Sequence, residues 1–423
     1  MRPADRRSRS LAPALTAGVL AALVAAPQAF AQSALTTGQA RATGQAQAAA
    51  AAPEDGDVEV GGWPKIGFET VAALELGGMN PDSGRARPAS LDFRFDSTAL
   101  IELNDSLQID ALFQYKSKQP RPLTDANRNL FSNQGAGRRN GGRFKELYVR
   151  NGDWRFGKFV QDFGRGWDIL PGLFATDFAE EPEDGYEPAE MLGVERLHVF
   201  DNEDGGWQQI TVAAFMIDRT ILHETFPYNE GRIRYHDGGV GNTRLPENVM
   251  ATWDVYNKPV GNWAHMNYQA SVIRWGRAYG AQKGEWWTTL GADISIPLTG
   301  TVEDTLRGSY SQLKLYVEGA RRDNFDGVSG KTRQFLSGSA EYLYGPWVFD
   351  LTTTQRWTKT PGLGTERDRL YTATVSYALP SDTVAAISVA KEGVAGREGV
   401  YMGFRLTQTL TTCNRCLAKG RAF

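Results

Sequence analysis

Alternation of apolar and charged residues with a period of two is the feature that most constrains this chain. In Leu91-Asp92-Phe93-Arg94-Phe95-Asp96 every apolar side chain falls on one face and every charge on the other, the pattern of a strand with one greasy and one wet side. After the turn Asn104-Asp105-Ser106 the pattern resumes, with Leu107, Ile109, Ala111, Phe113 and Tyr115 alternating with Gln108, Asp110, Gln114 and Lys116. Arms of about ten to twelve residues are long for a soluble hairpin and match a tilted membrane-spanning strand. The same reading along the chain predicts sixteen strands, the first near 65–76 and the last near 399–411. The number is even, as bacterial single-chain barrels require. An extra hairpin hidden in 232–245 would make eighteen.

The connections alternate between long and short, as the outer loops and periplasmic turns of a transmembrane β-barrel do. The short ones carry turn residues: Asn104-Asp105-Ser106, Asn151-Gly152-Asp153, Gly345-Pro346 and Pro380-Ser381-Asp382. Trp154, Trp207, Trp263 and Trp347 open strands after short turns, while Trp275, Trp286 and Trp357 stand at strand ends beside long loops. Two aromatic girdles at the membrane interfaces account for both sets.

Composition excludes other classes. Outside the N-terminus no apolar run is long enough for a transmembrane helix, and mean hydropathy is −0.40. Two cysteines do not make a disulfide scaffold, and four scattered histidines do not suggest a zinc site. The formal charge of −3 and the lack of a polybasic face argue against a nucleic-acid partner. Residues 1–31 read as a secretory signal, with Arg2, Arg6, Arg7 and Arg9 ahead of an apolar stretch and Ala29-Phe30-Ala31 at the cleavage position. Residues 32–60, rich in Ala, Gln and Gly, read as a disordered linker, with a short helix as the alternative. Residues 61–412 are then the barrel, and 413–423 a periplasmic extension.

The run from Phe144-Lys145-Glu146-Leu147-Tyr148 through Asn151-Gly152-Asp153-Trp154-Arg155-Phe156-Gly157-Lys158-Phe159 resembles a strand, turn and strand of Gram-negative porins, including the phosphate-selective porin O/P and alginate-export groups. The resemblance is specific over about 50 residues and architectural elsewhere. It implies a diffusion channel in the bacterial outer membrane, a homotrimer, no cofactor, no catalytic residues, and an inward-folded constriction loop at 160–190. Its partners would be outer-membrane lipid, lipopolysaccharide and small solutes or ions. The chain departs from such barrels at its end, where Phe423 lies well beyond the last strand.

Loop 160–190 carries Asp162, Asp168, Asp177, Glu180, Glu181, Glu187 and Glu190, among other acids, against the single cation Arg165. Alternation puts Arg94, Lys116, Arg150, Arg155, Lys314, Arg356 and Arg405 on the wet face. Opposed charge of this kind sets up a transverse field at a constriction. The other reading is an acidic surface loop that binds divalent ions between lipopolysaccharide molecules. A basic loop with Arg121, Arg128, Arg138, Arg139 and Arg143 reads as an anion-collecting vestibule, an intersubunit latch, or a lipid-phosphate contact. Cys413 and Cys416 have redox-pair spacing without the following His that haem attachment needs, and a local structural disulfide is the preferred reading.

Two other classes stay open. One is a structural barrel around a periplasmic partner such as a multihaem cytochrome. The other is a barrel enzyme, for which only His223 and His236 sit in plausible loops.

Overall fold

In the computed structural model the described residues are 64–413, apart from 81–89, 118–120, 123–139, 162, 180–184, 189, 202–204, 227–232, 300–310, 380–381 and 395. The expected signal and linker lie outside them, as do 414–423 of the expected C-terminal extension, Asp162, Glu180, Glu181 and Cys416, whereas Cys413 ends the last strand rather than beginning an extension. No helix among the described residues is long and apolar enough to cross a membrane.

The described residues form sixteen antiparallel strands of six or more residues. They are β1 Lys65–Asn80, β2 Ser90–Glu102, β3 Leu107–Ser117, β4 Asn140–Asn151, β5 Trp154–Phe159, β6 Met191–Asp201, β7 Trp207–Ile217 and β8 Asn248–Val260. The second half comprises β9 Ala264–Arg274, β10 Trp286–Pro297, β11 Ser311–Asp323, β12 Thr332–Tyr344, β13 Trp347–Thr360, β14 Gly364–Leu379, β15 Thr383–Val394 and β16 Arg397–Cys413. A two-residue segment, Arg121–Pro122, adds a short pairing to β2. Each strand pairs with the next, and β16 returns to β1 from Gly67↔Cys413 to Asn80↔Val400. Closure leaves no sheet edge, and closed barrels are one of only two architectures that satisfy every backbone group in lipid. With its apolar outer face, the barrel is a protein of the bacterial outer membrane.

All sixteen expected strands are present. Among the described residues, 233–245 hold a 3₁₀ turn at Tyr235–Asp237 and no hairpin, and the closed barrel counts sixteen strands rather than eighteen. Several strands run past their expected ends. β13 and β14 continue to Thr360 and from Gly364, through Thr358, Lys359, Thr365 and Glu366. The ladder persists there on backbone hydrogen bonds, above the point where lipid imposes an apolar face. For the same reason Arg143, expected in the basic loop, belongs to β4.

The outer surface shows Leu315, Val317, Leu336, Leu351, Ile387 and Val389 partly exposed, as an apolar belt requires. Tyr342, Tyr344, Trp347 and Phe349 stack beside the turn at Gly345-Pro346, forming part of one aromatic girdle. Two tryptophans expected in the girdles lie elsewhere. Trp207 is buried, stacked on Tyr256 at 3.9 Å. Trp275 is 1% exposed and packs against Phe215 and Trp287. Their sequence position next to turns does not say which face of the wall they take, and both take the inner one.

Candidate functional site: the inward loop and the charged inner wall

β5 is only six residues long because the chain leaves the wall after Phe159. From there the described residues of 160–190 fold against the inner face of β8–β16. The apolar anchors are Phe163 and Tyr186, which with Phe159 and Trp167 join the inward residues Phe215, Met250, Ile273, Trp287, Ala320 and Phe335 in one buried cluster. Phe178 makes a second cluster with Leu370, Ala390 and Tyr401. Burying such side chains contributes about 1.5–3 kcal/mol each, so the loop is seated mainly by area removed from water.

Polar contacts fix its register. Glu318, 1% exposed on β11, accepts hydrogen bonds from the backbone N–H of Arg165 at 2.7 Å and of Gly166 at 2.9 Å, and from the Tyr186 hydroxyl at 2.5 Å. Gly166 begins a single helical turn, α1, Gly166–Ile169. Room here is tight: a Cβ on Gly166 would stand 2.3 Å from the Tyr186 hydroxyl oxygen. Burial and the adjacent Glu318 carboxylate push the Tyr186 phenol well above its ordinary value, which keeps it a donor. The Arg165 guanidinium reaches Asp254 on β8 at 3.3 Å and Asp293 on β10 at 3.2 Å, and lies over the Tyr256 ring. Further along, Thr352 donates to the carbonyl of Pro171, and the N–H of Leu173 donates to the Ser388 hydroxyl. Arg322, fully buried, donates to the Gly185 carbonyl at 2.6 Å and pairs with Glu285.

The root of the loop is held separately. β4 extends to Asn140 but β5 pairs it only from Leu147 onward, leaving the upper edge of β4 uncovered by β5. The loop after β7 fills that gap: Gly142 and Phe226 exchange backbone hydrogen bonds at 2.8 and 2.7 Å. Beside this bridge the buried Lys158 ammonium lies 2.7 Å from Glu190, 2.8 Å from Asp218 and 2.8 Å from the Leu222 carbonyl. Arg143 also reaches Glu190, at 2.8 Å, and Lys145 reaches Glu187 at 3.2 Å. The end of β5, through Lys158, and the last residue of the loop, Glu190, are thus tied to one charge cluster. Burial would raise the Asp218 carboxyl, but the Lys158 and Thr220 contacts outweigh it and hold it low. His223, 3.9 Å from Glu190, is lowered by burial and by Arg143 and Lys158 against the opposing pull of Glu190 and Asp218.

The residues predicted from sequence divide into groups. Arg94, Arg155, Lys314, Arg356 and Arg405 stand on the inner face, each beside a carboxylate: Asp96 at 2.7 Å, Glu195 at 2.8 Å, Glu341 at 3.2 Å, Asp368 at 2.9 Å and Glu75 at 2.5 Å. Arg155 and Arg356 are buried, the latter over the Phe178 ring of the loop. Arg150 is inward and half-buried, registered opposite Gln108 and Arg155. Lys116 occupies an inward ladder position opposite Arg94, and the placement of its side chain is not described. Of the loop acids, Asp177 is exposed beside the seated Phe178, while Asp168 falls within α1. Cys413 closes the β16 ladder against Gly67. His236 packs on Tyr235 and Tyr279. Among the described residues no group of His, Cys, Asp and Glu is placed to hold a metal ion.

The expected picture of an acidic loop facing a basic wall is reversed where the loop meets β8–β11. There the loop supplies the cation, Arg165, and the wall supplies Asp254, Asp293 and Glu318. Sequence reading passed over these three because a wet-face carboxylate is ordinary in a barrel. A signal was present: the upper part of β7 carries apolar residues on both faces, Val212-Ala213-Ala214-Phe215-Met216-Ile217, which a water-filled interior would not need.

No family model matches the chain, and no curated protein matches it in sequence. Solved structures do resemble it in fold. The OmpF porin of Salmonella typhi, solved with daunomycin, aligns over 82% of this chain and 98% of its own with 11% identity and a TM-score of 0.51. The outer-membrane channel DcaP of Acinetobacter baumannii aligns over 82% and 96% with 11% identity and a TM-score of 0.49. The chain has the fold of an outer-membrane porin barrel.

Proposed function

We propose that this barrel is a porin through which small hydrophilic or ionic solutes diffuse passively, and that loop 160–190 with the facing wall forms a charged constriction. The observation that carries this reading is the seating of the loop on the inner face of β8–β16, with Arg165, Gly166 and Tyr186 fixed on Glu318. A loop that only occludes the lumen from one side narrows a water path without sealing it. Glu75, Asp92, Arg94 and Asp96 on β1 and β2, and Arg405 where β16 joins β1, remain partly exposed, as residues along such a path would. A barrel that sheathes a folded partner needs a wide bore, and the described part of the loop takes up part of that space with the chain's own residues. No chemical step and no cofactor enters this reading, and pore lining by Arg94, Lys116, Arg150, Lys314 and Arg405 belongs to it. Assembly as a homotrimer among lipid and lipopolysaccharide, as the porin resemblance implies, is part of the same proposal.

The test is single-channel recording of the refolded protein in a planar bilayer. Stepwise open channels are expected, grouped in threes for a trimer. A well-folded barrel that passes no current in either polarity would overturn the reading.

A further inference from the structure

The part of the wall that backs the seated loop also carries charge on its outside. Leu370 on β14 and Ala390 on β15 are buried against Phe178 in the interior, so their neighbours Arg369, Tyr371 and Lys391 point out of the barrel. Tyr401 is inward in the same cluster, which puts Glu398, Val400 and Met402 outward on β16. The charged residues lie at the barrel end that carries loop 160–190, the extracellular side of such a barrel. Moving away from that end, the outward positions change in a fixed order. On β14 Arg367 and Arg369 give way to Tyr371 and then Ala373, and on β15 Lys391 gives way to Val389 and Ile387. The cations therefore stand directly above the apolar belt, at headgroup depth, with an aromatic side chain at the boundary.

Three strands build the cluster. Arg369 lies over Gly393, where a Cβ would stand 3.3 Å from its Cγ, and its guanidinium reaches Glu398 at 3.0 Å. Lys391 reaches the other oxygen of that carboxylate, also at 3.0 Å. Arg367 donates to the Gln355 side chain and lies over the Trp357 ring. One carboxylate thus holds two cations side by side with a third fixed next to them, and all three are exposed. Among the described outward positions in the extracellular half of β9–β16, the cations are Arg274, Arg321, Lys359, Arg367, Arg369 and Lys391, and the anions are Asp323 and Glu398. The face stays basic when the exposed rim carboxylate Glu366 is added.

We propose that this face docks a phosphorylated lipid of the outer leaflet, of the lipid A type, with phosphate on Arg367, Arg369 and Lys391 and acyl chains along Val389 and Met402. The inference deepens the lipopolysaccharide partnership proposed above and does not depend on channel activity. Guanidinium forks bind phosphate oxygens bidentately, and an ammonium beside them adds a point charge. Glu398 keeps two of the cations together and competes with phosphate for them.

Native mass spectrometry of the refolded full chain in detergent, with bisphosphorylated lipid A added, tests this. Affinity is expected to fall about tenfold or more in Arg369→Gln and in Lys391→Gln, each losing one charge-assisted contact, and to be unchanged in Lys283→Gln, an exposed loop cation. Glu398→Gln should bind more tightly, a gain that a misfolded variant would not show. Lipid A stripped of its phosphates should bind the wild type weakly, and excess inorganic phosphate should not displace the intact lipid. Equal binding of phosphorylated and stripped lipid, variants that bind like wild type, or displacement by inorganic phosphate each overturn the inference. Loss of oligomer in Arg369→Gln with lipid binding unchanged would assign the face to a second copy, and also overturns it. Bilayer recording separates the two readings: a silent barrel that retains lipid A overturns only the porin reading, and an open channel without phosphate preference overturns only this one.

Discussion

The phenol of Tyr186 donates a 2.5 Å hydrogen bond to Oε1 of Glu318, joining the returning arm of the inward loop to β11. The same carboxylate holds the outgoing arm through the N–H groups of Arg165 and Gly166. Both arms therefore share one buried acceptor. Removing the hydroxyl in Tyr186→Phe deletes a hydrogen bond to a charged group, worth about 1.5–3 kcal/mol. The expected outcome is faster limited proteolysis within 160–190 and noisier open-channel current, with barrel unfolding by SDS gel shift little changed. Proteolysis at the wild-type rate would show that the apolar seating alone fixes the loop.

Arg165 compensates Asp254 and Asp293 together. Truncation in Arg165→Ala leaves buried carboxylates unpaired, a change that typically costs about 3–5 kcal/mol. Lysine keeps the charge but loses the fork geometry and the stacking over Tyr256. Thermal unfolding in detergent should rank wild type above Arg165→Lys and that above Arg165→Ala. Equal stability of the alanine variant and wild type would mean the wall carboxylates are neutral without it.

Acid should loosen the root of the loop. His223 titrates near 6.5 when unfolded and lower when folded, so its contribution is fully present above about pH 6.5 and is lost as pH falls below that. Asp218 is held below its ordinary value of 3.8, so its contribution is lost only at lower pH still. Both act in the same direction. Protonated His223 would add a third cation beside Arg143 and Lys158, faced by Glu190 and Asp218. Hydrogen exchange at the Gly142 and Phe226 amides, corrected for intrinsic rate, should accelerate near pH 5 relative to pH 8. His223→Gln should remove that difference, and a variant that retains it would assign the effect elsewhere.

Gly157 has φ of +136°, and a Cβ there would stand 2.5 Å from the Leu147 carbonyl oxygen of the neighbouring strand. Gly157→Ala combines a strained backbone, about 1–3 kcal/mol, with a clash against main chain that cannot swing away. The expected effect is poor refolding yield or a lowered unfolding temperature. The contrasting Gly152→Ala, also at positive φ but with open space around its Cβ, should cost less.

The barrel was legible in the sequence because two of its physical causes are local. Lipid outside and water inside imprint period-two alternation on each strand, and closure in an outer membrane sorts the connections into long and short, so all sixteen strands could be placed. The wet-face positions of Arg94, Arg405 and Lys314 follow from the same alternation. Their partners do not: Glu75 meets Arg405 only through the β1–β16 seam, between residues at opposite ends of the chain. Likewise nothing local in Glu318, Asp254 or Asp293 marks them as anchors, since each looks like any wetted wall carboxylate until Arg165 and Tyr186 arrive from the loop. The sequence by itself determined the barrel class, the alternation and the sign of each charged wall position, and left sixteen or eighteen strands open. Only the tertiary structure decided which charges are cancelled, because ion pairing and loop seating depend on register across strands and on where a long loop goes once it leaves the wall.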